Sequence, residues 1–119
     1  MSVLKELSAV IEARKGADPQ SSYTASLYAQ GIRKILEKVG EESTEVIIAA
    51  MDAAQGRESA RSELVGEIAD LWFHTLVLLS VSDLSLDDVE AELGRRFGIS
   101  GLEEKAARQT DPGSSKQGS

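Results

Sequence analysis

No cysteine occurs in the 119 residues, and that absence excludes disulfides, thiolate zinc sites and cysteine nucleophiles together. Proline is nearly as scarce. The two prolines, Pro19 and Pro112, lie outside the long periodic segments, so nothing between about Ser22 and Arg108 forbids long helices. The one histidine is His74 and no G-x-S-x-G turn occurs, which leaves a nucleophilic triad without its parts. No glycine-rich loop ends in G-K-S/T, so P-loop nucleotide binding is unsupported. Positive charge is short as well: 13 Lys and Arg against 20 Asp and Glu give a formal net charge of −7, the wrong sign for a general nucleic-acid binder. The stretch from Met1 to Gly16 is interrupted by Lys5, Glu6 and Glu12 and lacks the apolar core of a signal peptide. No segment is expected to reach membrane-spanning length. These absences permit the cytosol and leave neither nucleic acid nor membrane as an expected partner.

What is present fits an ordinary globular domain, with 41% hydrophobic and 28% charged residues. Apolar residues recur at helical spacing. Leu4, Leu7, Val10 and Ile11 predict a first helix from Ser2 to about Arg14. After a loop through Asp18 and Pro19, Ser22 or Thr24 is placed to cap a second, long helix to about Ala54, with Ile32, Ile35, Leu36, Val39, Val46 and Ile47 on one broad face. Gly31 and Gly40 fall inside it, where each costs roughly 1 kcal/mol against alanine, so close packing or a ligand near the backbone is expected there. Ser59 or Ser62 opens a third helix to about Ser82 whose apolar residues, Val65 and Trp72 among them, cover nearly its whole circumference. Such a helix is expected to be buried on most sides, which one chain of this size cannot manage alone. The predicted fold is therefore all-α, a bundle of four to five helices completed by homodimerisation. Ser85-Leu86-Asp87-Asp88 begins a fourth helix with Leu86, Val89, Leu93 and Phe97 on its inner face, and Gly98 stops it. Gly101 to Arg108 is predicted helical again and Thr110 to Ser119 disordered, giving a domain over 1–108 and a tail over 109–119.

Two acidic pairs carry the chemistry. Glu42 and Glu45 are three residues apart, so their carboxylates leave one helix face about a turn apart, and Glu67 and Asp70 repeat that spacing on the next helix. With those helices antiparallel across a short connection, the four carboxylates form one cluster. E-x-x-E on a helix is by itself usually solvated surface charge. Glu67 and Asp70, however, lie among Ile68, Ala69, Leu71, Trp72 and Phe73, where an uncompensated carboxylate is costly and requires a cation, a base or a polar cavity. Oxygen-only ligands suit Mg²⁺ or Mn²⁺. An acidic protein that handles polyphosphate also needs a bridging divalent cation.

Glu63 and His74 continue the stripe of Glu67 and Asp70 at steps of four. His74 reads either as a hydrogen-bonded core residue or as a ligand, and is taken with Glu63 as support behind the cluster, His74 for Asp70. Lys34 and Lys38 precede Glu42 on nearly the same side, as ion-pair partners of Glu42 or Glu45 or as a phosphate clamp; Arg95 and Arg96 carry the same pair of readings.

At these residues the sequence becomes familiar. Glu41-Glu42-x-x-Glu45 followed by Glu67-x-x-Asp70 resembles the signature of the all-α, MazG-like nucleotide pyrophosphohydrolases. Ser22-Tyr23-Thr24-Ala25-Ser26-Leu27, Lys38-Val39-Gly40-Glu41-Glu42, Ala69-Asp70-Leu71-Trp72-Phe73-His74 and Ser100 to Arg108 resemble the phosphoribosyl-ATP pyrophosphatase family within it, over about Leu4 to Arg108. Ser43 and Thr44 depart from the small or aliphatic residues expected there. The resemblance implies Mg²⁺ held by Glu42, Glu45, Glu67 and Asp70, with Glu41 adjacent; chemically, a neighbouring acid, Glu41 or Glu45, is then expected to orient or deprotonate the attacking water. It also implies substrate contacts from Lys38, Ser22, Tyr23 and Thr24, with Lys34 beside them. The implied reaction is hydrolysis of phosphoribosyl-ATP to phosphoribosyl-AMP and pyrophosphate, the second step of histidine biosynthesis, by a homodimer acting on a small nucleotide. Two other readings stand beside it: a house-cleaning hydrolase of non-standard or deoxynucleoside triphosphates, and a non-enzymatic helical dimerisation module.

Overall fold

The helix signals resolve into five helices in the computed structural model, which describes residues 2–99. They are α1 (Val3–Ala13), α2 (Tyr23–Gln30), α3 (Ile32–Ala54), α4 (Ala60–Val81) and α5 (Leu86–Phe97), and no strand occurs among the described residues. The described residues form two units divided between Leu84 and Ser85. The predicted segment Gly101 to Arg108 and the tail from Thr110 lie outside the described residues.

Side-chain caps account for where three helices begin. Ser2 Oγ accepts from the Lys5 amide at 3.2 Å to start α1, and Ser22 Oγ accepts from the Ala25 amide at 3.0 Å to start α2. Ser85 and Asp88 form a reciprocal capping box at the start of α5, which ends at Gly98 in the left-handed conformation with φ 67°. Helix α4 follows Ser59 without a side-chain cap bond. Its turn from α3 is held instead by Arg57, whose guanidinium reaches Asp52 at 3.3 Å and Glu63 at 2.7 Å.

The long second helix of the sequence reading is two helices. Gly31 adopts φ 91° and ψ −179°, a backbone that terminates α2 and redirects the chain into α3. Only glycine takes this conformation without a steric penalty. Open space surrounds the Cα of both Gly31 and Gly40, so the close packing expected at them is absent.

Residues 55–59 connect α3 to α4, and this short link folds α4 back along α3, its most extensive partner. Helix α1 packs on α4 and α2 on α3. Ile11, Leu27, Ile35 and Val77, one from each of the four helices, are the largest fully buried side chains. Each contributes about 1.5–3 kcal/mol by leaving water. The expectation that α4 is buried on most sides does not hold within the chain: Val65 is 69% and Trp72 53% exposed, while Leu76, Val77 and Ser80 are buried toward its C-terminal end. On α3, Leu36 and Ile47 are likewise exposed. In α5 the stripe of Val89, Leu93 and Phe97 is also exposed.

One expectation needs correcting further. Helix α4, at 22 residues, is long and apolar enough by length and composition to cross a membrane. Glu67 and Asp70 stand near its middle, however, where carboxylates are expensive in hydrocarbon, and it packs along α3 and α1.

Candidate metal centre

Folding α4 back along α3 brings the two acidic pairs to one place. Glu41, Glu42, Thr44 and Glu45 from α3 and Glu67 and Asp70 from α4 line an open hollow of about 470 Å³. Within it, one carboxylate oxygen each from Glu42, Glu67 and Asp70 lie within 4.8 Å of one another. That convergence follows from the sequence: a three-residue step keeps each pair on one helix face, and the short connection sets the faces opposite.

The electrostatics are those of crowded like charge. The Glu67 carboxyl is pushed above its ordinary value, first by partial burial and then by the negative charges of Glu45, Glu42, Asp70 and Glu63. An ammonium borders the group: Lys38 bonds Glu41 at 3.2 Å and lies 3.9 Å from Glu42. The bond to Lys38 holds the Glu41 carboxyl below the usual carboxylate value, and the bond to Glu41 holds Lys38 above its own. Oxygen donors from three carboxylates at this spacing, with Glu45 lining the same hollow, fit a hard divalent cation such as Mg²⁺ or Mn²⁺.

The other sequence-predicted residues are distributed more widely. Lys34 bonds Glu37 at 3.2 Å, not Glu42 or Glu45. Glu63 is engaged by Arg57 and by Ser59 Oγ at 3.0 Å, so it reaches the hollow only through its charge. Ser22 Oγ is occupied by the α2 cap, and Thr24 is buried. Arg95 and Arg96, in the second unit, both bond Glu92. His74, 5% exposed, touches the backbone carbonyl of Asp70 through Nδ1 at 2.8 Å and the Tyr23 hydroxyl through Nε2 at 2.8 Å. It therefore supports the helix at Asp70 and not the Asp70 carboxylate.

Two residues escape the sequence reading. Thr44 lines the hollow one turn beyond Gly40, whose carbonyl accepts from Thr44 Oγ1 at 3.2 Å; its position between Glu41 and Glu45 was the available signal. Phe73 stacks with Tyr23 at 6.0 Å between ring centroids and 27° between planes. No sequence spacing relates those two.

Fold and hollow together define an all-α protein with an oxygen-only, acid-lined candidate metal centre between two paired helices. The pattern of the phosphoribosyl-ATP pyrophosphohydrolase family matches residues 4–97. Over 106 residues the chain is 58% identical to a phosphoribosyl-ATP pyrophosphatase of Burkholderia cenocepacia, covering 89% of this chain and 86% of that protein. It is also 58% identical over 106 residues to one from Burkholderia mallei, covering 89% and 85%. The chain belongs to the phosphoribosyl-ATP pyrophosphohydrolase family.

Proposed function

We propose that this chain hydrolyses phosphoribosyl-ATP to phosphoribosyl-AMP and pyrophosphate, the second step of histidine biosynthesis, with Mg²⁺ held by Glu42, Glu45, Glu67 and Asp70. The observation that carries the metal reading is the convergence of Glu42, Glu67 and Asp70 oxygens within 4.8 Å, with Glu45 lining the same hollow. The substrate follows from membership of the family and from the names its relatives carry.

A divalent cation in such a donor set neutralises phosphoryl oxygens and acidifies water. The chain's own residues supply the rest. Glu42, Glu67 and Asp70 orient the triphosphate by fixing where positive charge sits. Lys38 adds a cation at the rim, placed to meet a phosphate oxygen as the pyrophosphate leaves. Of the two candidate bases, Glu41 is tied to Lys38 and held at low proton affinity, which weakens it. Glu45 lines the hollow and makes no ion pair among the described residues, so the carboxylate oxygen it does not give to the cation would take the proton from the attacking water.

The homodimer belongs to the same proposal. Ile47 and Met51 of α3 and Val65 and Trp72 of α4 are all more than half exposed. Trp72 also lines an apolar hollow of about 430 Å³ with Leu4, Val39, Leu71 and Leu76. Apolar surface on this scale marks an association face. A second copy covers it.

The test offers phosphoribosyl-ATP, ATP and a panel of deoxynucleoside triphosphates with Mg²⁺ and assays pyrophosphate against orthophosphate. Preferred release of pyrophosphate from phosphoribosyl-ATP is expected. Preference for the deoxynucleotides would assign a house-cleaning role to the same fold, and inactivity on all of them would leave a structural helical module.

A further inference from the structure

Tyr23 is anchored in a way that decides what it can offer a ligand. The His74 Nδ1 faces the Asp70 carbonyl, which only accepts, so Nδ1 carries the proton. In the neutral ring Nε2 is then the acceptor, and the Tyr23 hydroxyl donates to it at 2.8 Å. The one proton of the phenol is thus already engaged with a buried partner. What remains outward is the ring: Tyr23 is 50% exposed, lies against Phe73 in a stacked arrangement, and has His74 edge-on at 5.7 Å. Phe73 and His74 in turn meet edge-to-face at 5.0 Å, so the three rings brace one another.

The location gives this ring its meaning. Phe73 follows Asp70 by three residues on α4, and Lys38 precedes Glu41 by three on α3. Each step is a little under one helical turn, roughly 4.5 Å, along the paired helices and away from the acid hollow. The Lys38 ammonium is held by its bond to Glu41, and Tyr23 is tied through His74 to the backbone of Asp70. Ammonium and braced aromatic ring therefore both lie about one step beyond the acid hollow, so that phosphates at the hollow and at Lys38 leave the flat ring to the nucleotide's base. We infer that the exposed face of Tyr23, fixed by His74 and braced by Phe73, is the stacking platform for the purine base of the substrate, and that its hydroxyl is a tether and not a substrate contact. The inference rests on the proposed nucleotide chemistry of the hollow and assigns the end of the substrate remote from it.

The test compares AMP with ribose 5-phosphate, which lacks the base, by calorimetry on the full chain with Mg²⁺. AMP is expected to bind tighter by roughly 5- to 150-fold, the range one base–aromatic stack supplies. In Tyr23→Ala the two affinities converge, while Tyr23→Phe keeps the ring, loses the tether and retains a reduced preference. Equal affinities in the native chain, or a full preference surviving in Tyr23→Ala, would overturn the inference. Should Tyr23→Ala fail to fold, nuclear magnetic resonance of AMP on the native chain decides alone: upfield ring-current shifts of H2 and H8 are expected, and unshifted lines refute the platform. Neither readout involves hydrolysis, so a chain that bound AMP in this way yet failed to cleave phosphoribosyl-ATP would count against the proposed function only.

Discussion

Two of the polar groups on helix α4 meet neighbours of opposite kinds. Near its C-terminal end, buried Ser80 accepts from the Tyr28 hydroxyl at 2.5 Å and donates to Glu12 at 2.8 Å, and Glu12 is paired with Lys15 at 3.1 Å. Every polar atom in that chain has a partner, and the Glu12 carboxyl is held low, first by Ser80 and then by Lys15. At the middle of the helix, Glu67 and Asp70 meet further carboxylates, and Glu67 is pushed the other way. A satisfied network stabilises a fold, whereas a concentration of like charge is the arrangement that the proposed cation would relieve.

The largest effect expected from this contrast is on turnover. Glu67→Gln should lower kcat roughly 100-fold or more, since one group fixing the charge at the reacting phosphate is lost; a steady-state assay with Mg²⁺ measures it. The same variant should melt higher than the native chain near pH 7 without metal. The sign follows from linkage. A carboxyl raised in the folded state favours folding below its ordinary value near 4.5 and loses that contribution as pH rises through the folded pKa, so the gain from glutamine disappears in acid.

Next comes the cation itself. Mg²⁺ at a hundredfold excess over Kd should stabilise the native chain by about 2.7 kcal/mol and Glu67→Gln far less. Thermal melts with and without the ion read this difference, and equal shifts in both chains would erase the contrast between the middle and the C-terminal end of α4.

Smaller effects belong to the scaffold. Gly31→Ala puts a Cβ on a backbone at φ 91° and should cost about 1–2 kcal/mol in urea unfolding, through strain and not through a clash, because the space around it is open. Ser80→Ala should cost about 1 kcal/mol and leave kcat unchanged. It should also flatten stability on the acid side. Glu12 contributes above its ordinary value of 4.5 and loses that contribution as pH falls through its depressed folded pKa, and Ser80 is the first cause of the depression.

These residues also mark how far the sequence could be read. The all-α class, the Ser22 and Ser85 caps, the Gly98 stop and the meeting of Glu42 with Glu67 and Asp70 were legible, because caps and three-residue steps are local and a short link fixes which faces meet. The break at Gly31 was not, since apolar periodicity runs on through it and only the positive φ reveals the turn. Nor were the partners of Lys34, Glu63 and His74 readable. Each had more than one neighbour within reach, and the outcome depended on Glu37, on Arg57 in the turn, and on Tyr23, 51 residues away in sequence. The exposed faces of α3 and α4 show a related gap: periodicity marks a side chain as apolar but not whether its own chain buries it.

Whether the carboxylates of α3 and α4 act as one cation site is tested most directly by titrating Mn²⁺ into the full chain and following its paramagnetic resonance signal, alongside Glu67→Gln. Saturable binding to the native chain, displaced by Mg²⁺ and lost or greatly weakened in the variant, is the predicted result. No saturable site, or the same affinity in both chains, would contradict it.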